Sequence, residues 1–276
     1  MVNEKISIIM GVYNSSQTID EAIDSILKQT YSDWEFIICD DCSTDNTYTI
    51  LLNYKKQHPN KFVLLKNEKN SKLAFSLNRC LKHVTGKYIA RMDGDDLSEP
   101  TRFEKQVLFL KNNPNFDLVG TAMSRFDEDG LIDILYPLEN PNRYSLRNRL
   151  PFFHATIMTY KYVYDAVRGY NVSDRTQKGQ DVDLWFKFYH IGFNGSNIMQ
   201  PLYKVREDKD AIRRRNFKTR VNACKTVLYG YRLLKYPIYL YLKPILYTLF
   251  KVLIPYELAD LYRKYQRHVF RNVSHK

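Results

Sequence analysis

Short apolar runs rich in β-branched residues alternate with segments of helical periodicity through the first 120 residues, and this alternation restricts the fold more than any other feature of the chain. Ile6-Ser7-Ile8-Ile9-Met10 stops at Gly11 and reads as a strand. Ile19, Ala22, Ile23, Ile26 and Leu27 then recur on one helical face, with Thr18 and Glu21 spaced as a capping box. Further strands are expected at 34–39, 62–65, 87–92 and 117–123. Helices are expected from Asp45 to about His58, through Leu73, Leu77, Cys80, Leu81 and Val84 with Gly86 as the stop, and over 101–112. Strands separated by helices of this length predict an α/β fold: a Rossmann-like, mainly parallel sheet with right-handed crossovers and helices on both faces. Ligands of such sheets bind beyond the carboxyl ends of the strands. Tyr13, Asp40, Asp41, Asp93 and Asp95 all fall at those ends.

After Ser124 the pattern changes. Residues 125–136 read as a hairpin around Asp129-Gly130, and 152–159 as a further strand. Residues 179–189 form an amphipathic helix carrying Asp181, Asp183 and Trp185. A boundary is expected near Asp210, giving a catalytic domain over 1–210 and a helical extension over 211–276.

Charge separates the two parts. Residues 213–276 hold fifteen Lys or Arg against two Asp or Glu, a net of +13. The chain's other 27 basic and 28 acidic residues nearly cancel. Such asymmetry predicts a basic appendage that meets an anionic surface. Lys243 and Lys251 interrupt the most apolar stretch, 236–255, and Pro237 and Pro244 break its helices, so no spanning helix is expected. Lys, Arg and Tyr interleaved with Leu suit a helix lying in the interface of an anionic inner leaflet. The other reading has these helices packing on the main domain or on a second subunit. Nucleic acid is disfavoured as a partner, because the basic residues alternate with apolar ones instead of clustering with polar ones.

Cys39, Cys42, Cys80 and Cys224 are few and irregularly spaced, which suits a reducing cytoplasm. Cys39-Asp40-Asp41-Cys42 matches C-x-x-C, but two aspartates between the sulfurs raise a thiol pKa and disfavour redox chemistry. No signal peptide is expected, since the apolar stretch after Glu4 is short and contains Ser7.

Asp93-Gly94-Asp95-Asp96, directly behind the strand Tyr88-Ile89-Ala90-Arg91-Met92, places three carboxylates within four positions. Mutual repulsion at a strand end is relieved by a divalent cation, and hard oxygen ligands suit Mg²⁺ or Mn²⁺ over zinc. Asp95 and Asp93 are the candidate ligands, with the ion bridging a diphosphate. Read alone, the cluster is equally an acidic turn before a helix, and Asp40-Asp41 equally the start of one.

Four strings occur in order: Ile6-Ser-Ile-Ile-Met-Gly-Val-Tyr-Asn14, Ser25-Ile-Leu-Lys-Gln-Thr30, Cys39-Asp-Asp-Cys-Ser-Thr-Asp45 and Gly86-Lys-Tyr-Ile-Ala-Arg-Met-Asp-Gly-Asp-Asp96. Together they resemble the inverting family 2 glycosyltransferases of GT-A fold. The string Asp96-Leu-Ser-Glu-Pro-Thr-Arg102 with Gln106 is similar to the bacterial branch that builds capsule, exopolysaccharide and lipopolysaccharide. The resemblance spans about 5–206. It implies that Gly11, Val12, Tyr13 and Asp41 meet the nucleotide base, that Lys72 faces the diphosphate, that Asp93 lies on the ribose side and that Asp95 holds the metal. It implies a catalytic base at Asp181 in Gln180-Asp181-Val182-Asp183-Leu184-Trp185, where Gln180 replaces the family's commoner Glu. It places His154 and Trp185 with Gln180 at the acceptor pocket. From the residues alone, Asp181 reads as an acid favoured by the helix dipole, and His154 could equally be a satisfied core histidine.

The expected activity is transfer of one sugar from a nucleotide sugar, UDP-linked, to a hydroxyl of a saccharide or lipid-linked acceptor. The Gln-x-x-Arg-Trp signature of processive synthases is missing. Two alternatives stand: a nucleotidyltransferase acting on sugar phosphates, disfavoured by the lack of a Gly-rich phosphate loop at Ser15-Ser16-Gln17, and a non-catalytic binder using its basic tail.

Overall fold

The computed structural model describes residues 4–207 and 217–253. The first strand, β1 (Ile6–Val12), is followed by α1 (Ile19–Leu27), β2 (Trp34–Asp40), α2 (Thr47–Gln57), β3 (Phe62–Lys66), α3 (Leu73–Leu81) and β4 (Tyr88–Arg91). Next come β5 (Leu97–Ser98), α4 (Arg102–Asn112), the hairpin β6 (Leu118–Asp127) and β7 (Gly130–Leu135), then β8 (Met158–Tyr160) and α5 (Lys161–Val167). The remainder is α6 (Gln180–Ile191), β9 (Gly195–Arg206), α7 (Phe217–Leu233) and α8 (Leu242–Leu253).

One nine-stranded sheet runs in the order β3-β2-β1-β4-β8-β6-β9-β5, with β7 beside β6. The four strands β3-β2-β1-β4 are all parallel. Beyond β4 the sheet is mixed: β8 is antiparallel to both β4 and β6, β9 is parallel to β6, and β5 is antiparallel to β9. Side-chain alternation along β1 separates two cores. Ile6, Ile8 and Met10 pack with Ile19, Ile23, Phe103 and Val107 on one face. On the other face Ile9 joins Cys39, Leu77, Trp185 and Phe188. Burial on both sides is what a parallel sheet flanked by helices requires.

Three local expectations are corrected. Thr18 does not form a capping box: its hydroxyl donates to the Gly94 carbonyl at 2.9 Å, and Glu21 accepts from Arg206 at 2.5 Å. Both side chains are thereby tied to the acidic loop and β9. Gly86 does not stop α3, which ends at Leu81; a Cβ there would lie 2.4 Å from the Lys5 carbonyl, so glycine is needed for close approach to β1. Residues 152–159 are not one strand. Only 158–160 pair, and His154–Thr156 wind into a 3₁₀ turn. Arg102 and Gln106 of α4 explain this: Arg102 donates to the carbonyls of Arg91, Ala155 and Ile157, and Gln106 to those of Val119 and Thr156. Backbone groups that would have formed a ladder are bound by buried side chains instead. Burial pushes Arg102 down to about 10.

The expected boundary near Asp210 lies outside the described residues. The chain after it contributes Tyr231, Leu234 and Tyr236 to the same core as Trp185 and Phe186. Thr226 donates to the Arg175 carbonyl at 2.8 Å and Asn222 to that of Asp174 at 2.8 Å, so α7 braces the approach to α6. Gly230 is the closest point, where an added Cβ would lie 2.1 Å from the buried Phe186 ring. Gly→Ala inside a helix ordinarily stabilises by about 1 kcal/mol. Overpacking of about 1–3 kcal/mol opposes that here. Gly230→Ala is therefore expected to lower stability in urea unfolding; a gain in midpoint would show that α7 does not seat on Phe186.

Candidate active site

The carboxyl ends of β1, β2 and β4 meet at one rim. Gly11 lies against the start of α3, with an added Cβ 3.0 Å from Leu73 and 3.1 Å from Ser76. Val12 is buried behind it, and Tyr13 projects, 45% exposed. Asp41 is buried and accepts three hydrogen bonds: from Asn67 Nδ2 at 2.6 Å, Ser71 N at 2.8 Å and Lys72 N at 2.8 Å. One acceptor position remains on its Oδ2. These bonds hold Lys72 at φ +72, a conformation that costs a non-glycine residue about 1–3 kcal/mol. The Lys72 side chain stands exposed at the rim. Cys42 sits at φ +62, a left-handed conformation that glycine adopts at least cost.

At the end of β4, Arg91 is buried, 1% exposed, and its Nη2 pairs with Asp93 Oδ1 at 2.6 Å. Asp96 is buried too. It accepts from the Arg206 amide at 2.9 Å and bonds the Tyr203 hydroxyl, which also accepts from the Asp93 amide at 3.0 Å. Arg206 reaches the Asp95 carbonyl at 3.2 Å and Glu21 at 2.5 Å. The loop is thus clamped at Asp93 and Asp96 while Asp95 is left exposed. Although its side chain is exposed, partial desolvation by the surrounding loop and then the charge of Asp93 hold Asp95 above the ordinary carboxylate range. Burial, then Asp93 and Asp95, push Asp96 well above it.

Arg91 also connects this loop to α6. Its Nε and Nη1 are buried with no hydrogen-bond partner, and its charge acts on His154, Tyr164 and Tyr170. His154 Nε2 and the Tyr170 hydroxyl are 2.8 Å apart, and the Tyr164 and Tyr170 hydroxyls 2.7 Å apart. Burial and then Arg91 drive the His154 pKa well below its usual value, so the ring is neutral at pH 7. Tyr170 in turn feels the charge of Asp181 in the first turn of α6. Gln180, beside it, keeps a buried Oε1 without a partner. Trp185 is fully buried and meets His154 edge-on at 6.1 Å, so it supports the histidine from behind and does not face an open pocket. Asp183 is a different kind of acid: buried, paired with Arg175 at 2.7 Å, it fastens α6 to the preceding turn.

The structure therefore gathers Gly11, Val12, Tyr13, Asp41 and Lys72 at one end of the rim. Asp93, Arg91, His154, Tyr170 and Asp181 form a second, connected group. Arg91, Tyr170, Tyr203 and Arg206 were missed by sequence reasoning. For Arg91 a signal was present, since a guanidinium in an apolar strand requires a buried partner. For Tyr170 no motif exists.

Among the described residues, no three His, Cys, Asp or Glu side chains converge on a metal position. Mg²⁺ and Mn²⁺ need no such cage, because one or two carboxylates plus substrate phosphates complete their coordination. An exposed Asp95 of raised pKa beside a clamped loop fits that donor set.

The family model Glycosyl transferase family 2 matches residues 7–175. The chain is 42% identical over 263 residues to the "Putative glycosyltransferase EpsE" of Bacillus subtilis, covering 94% of this chain and 93% of that protein. It is 34% identical over 188 residues to the O-antigen biosynthesis glycosyltransferase WbnJ of Escherichia coli, covering 67% of this chain and 71% of that one. Among solved structures it is similar to S. aureus TarS residues 1–349 in complex with UDP, with a TM-score of 0.65 at 19% identity. That likeness covers 82% of this chain and 65% of the solved one, and it shows the fold alone.

Proposed function

We propose that this chain, which belongs to glycosyl transferase family 2 and has the GT-A fold, moves one sugar from a UDP-sugar to a hydroxyl of a saccharide or lipid-linked acceptor in bacterial surface polysaccharide synthesis. The observation that carries this reading is the Asp93–Arg91 ion pair closing the acidic loop at the end of β4, with the His154–Tyr170 contact beside it and Asp181 opening α6 near enough for its charge to act on Tyr170.

In this mechanism Tyr13 stacks on the base and the free acceptor position of Asp41 takes its ring N–H. Lys72 faces the diphosphate. A divalent ion, Mn²⁺ or Mg²⁺, bound at Asp95 would supply the charge that stabilises the departing diphosphate. Asp93 stays with Arg91 and presents its remaining oxygen toward the ribose side. Asp181, at the positive end of α6, takes the proton of the acceptor hydroxyl as general base. Attack comes from the face opposite the nucleotide, so the anomeric configuration inverts. Neutral His154 and Gln180 shape the acceptor side. The enzyme works in the cytoplasm on the inner face of the membrane, where a lipid-linked acceptor presents its sugar.

A panel of nucleotide sugars with Mn²⁺ tests this, with and without a polyprenyl-diphosphate-linked saccharide. UDP release from one UDP-sugar, raised by the acceptor and stopped by chelation, is expected. UTP and sugar 1-phosphate formed only when pyrophosphate is added, with no UDP released, would replace this reading with a nucleotidyltransferase.

A further inference from the structure

The turn at Ile238–Tyr241 and the helix α8 that follows it expose a continuous apolar surface. Ile238 is 85% exposed, Tyr239 70%, and Leu242, Leu246, Leu249 and Phe250 each more than half. The last four are spaced i, i+4, i+7 and i+8, which is one face of a helix. The other side of the segment is attached to the body. Lys243 donates to Asn148 Oδ1 at 2.7 Å, Cys224 reaches the Pro244 carbonyl at 3.6 Å, and the Tyr241 ring meets Tyr231 at 5.7 Å. A soluble monomer rarely leaves such a patch facing water.

Charge decides what covers it. Arg143 and Lys235 line a pocket between the ends of α6 and α7, immediately before Ile238. Residues 254–276 carry five Lys or Arg against two acids. A second copy of this chain, or its own C-terminal residues, would bring positive charge onto positive charge. An anionic bilayer supplies both an apolar interior and the opposite charge. Among the described residues no helix is long and apolar enough to cross a membrane.

We infer that the exposed face of the 238–241 turn and α8 docks in the plane of a bilayer containing anionic phospholipid, an inference that rests on the proposed function only for the choice of membrane. The docking residues are Ile238, Tyr239, Leu242, Leu246, Leu249 and Phe250, with the adjoining cations at the headgroups.

Cosedimentation of the full chain with phosphatidylcholine vesicles, with and without about one third phosphatidylglycerol, tests it. Wild type should pellet with the anionic vesicles and weaken with added salt. L246E/F250E should lower the partition coefficient by at least about tenfold, since two large apolar side chains leave the bilayer. UDP affinity should not change. I238S/Y239S, in the turn, is a second pair with the same expectation should the first fold poorly. Equal pelleting of variants and wild type, or none by wild type, overturns the inference. A dimer by light scattering that both pairs abolish, without vesicle binding, assigns the face to a second copy and overturns it too. Vesicle binding as expected with no sugar released from any donor leaves the docking face standing and removes the enzymatic reading alone.

Discussion

Asp181→Asn is expected to lower sugar transfer by about 10²–10⁴-fold, the range that general-base catalysis ordinarily supplies. UDP affinity should stay within about twofold, because the nucleotide is held at the other end of the rim. The size of the loss separates two readings of the same residue. If Asp181 only complements the dipole of α6, its replacement costs about 0.3–1 kcal/mol of stability and leaves the rate nearly intact. Asparagine keeps the shape and can still accept a hydrogen bond, so the helix start is preserved while the basic oxygen is lost. Asp183, two residues on, is no substitute, since it is buried against Arg175 and lies within 3.9 Å of Lys187. Gln180 is a neutral amide and cannot take up the hydroxyl's proton at neutral pH. The measurement is initial transfer rate with saturating donor, beside calorimetric UDP binding. A variant rate within tenfold of wild type would return Asp181 to a helix-capping role.

The parallel half of the sheet was legible because its strands are buried on both faces and read as unbroken apolar runs. Trp34–Asp40 has no exposed position. The mixed half was not. β9 was absent from the expected elements, and it is the strand that carries Tyr203 and Arg206 to the acidic loop. Its sequence holds Asn197, Gln200 and Pro201, and its register with β6 slips between Thr121 and Met123 to pass the proline. A strand with a proline and an irregular register loses the period-2 signal. The same limit explains 152–159: β-branched content suggested a strand, but long-range bonds from Arg102 and Gln106 bend the backbone into a turn. The site divided likewise. Residues at strand ends were readable from topology, whereas Arg91 and Tyr170 acquire meaning only through partners distant in sequence. The Arg102–Gln106 string that was read as a family signature has a structural cause, fixing the turn that brings His154 beside β4.

Asp95→Ala should remove the Mn²⁺ dependence of UDP binding while leaving thermal stability unchanged, and Asp93→Ala should do the reverse. The contrast follows from how the loop is held. Asp93 is the ion-pair partner of Arg91, and Arg91 has two further buried nitrogens with no hydrogen bond. Removing Asp93 leaves that guanidinium buried and uncompensated, a change that costs about 3 kcal/mol, the low end for a buried pair because Asp93 is partly open to water. Asp95 has no such structural debt: its side chain is exposed, and partial desolvation by the loop and then the charge of Asp93 make its ionised form costly until a cation arrives. Loss of its carboxylate therefore withdraws the protein's ligand from a diphosphate-bound ion without removing a partner of Arg91. Calorimetry with UDP, with and without Mn²⁺, should show at least a tenfold ion effect in wild type that vanishes in Asp95→Ala. An ion effect retained in Asp95→Ala but lost in a folded Asp93→Ala would transfer the metal to Asp93 and require Arg91 to release it when substrate binds.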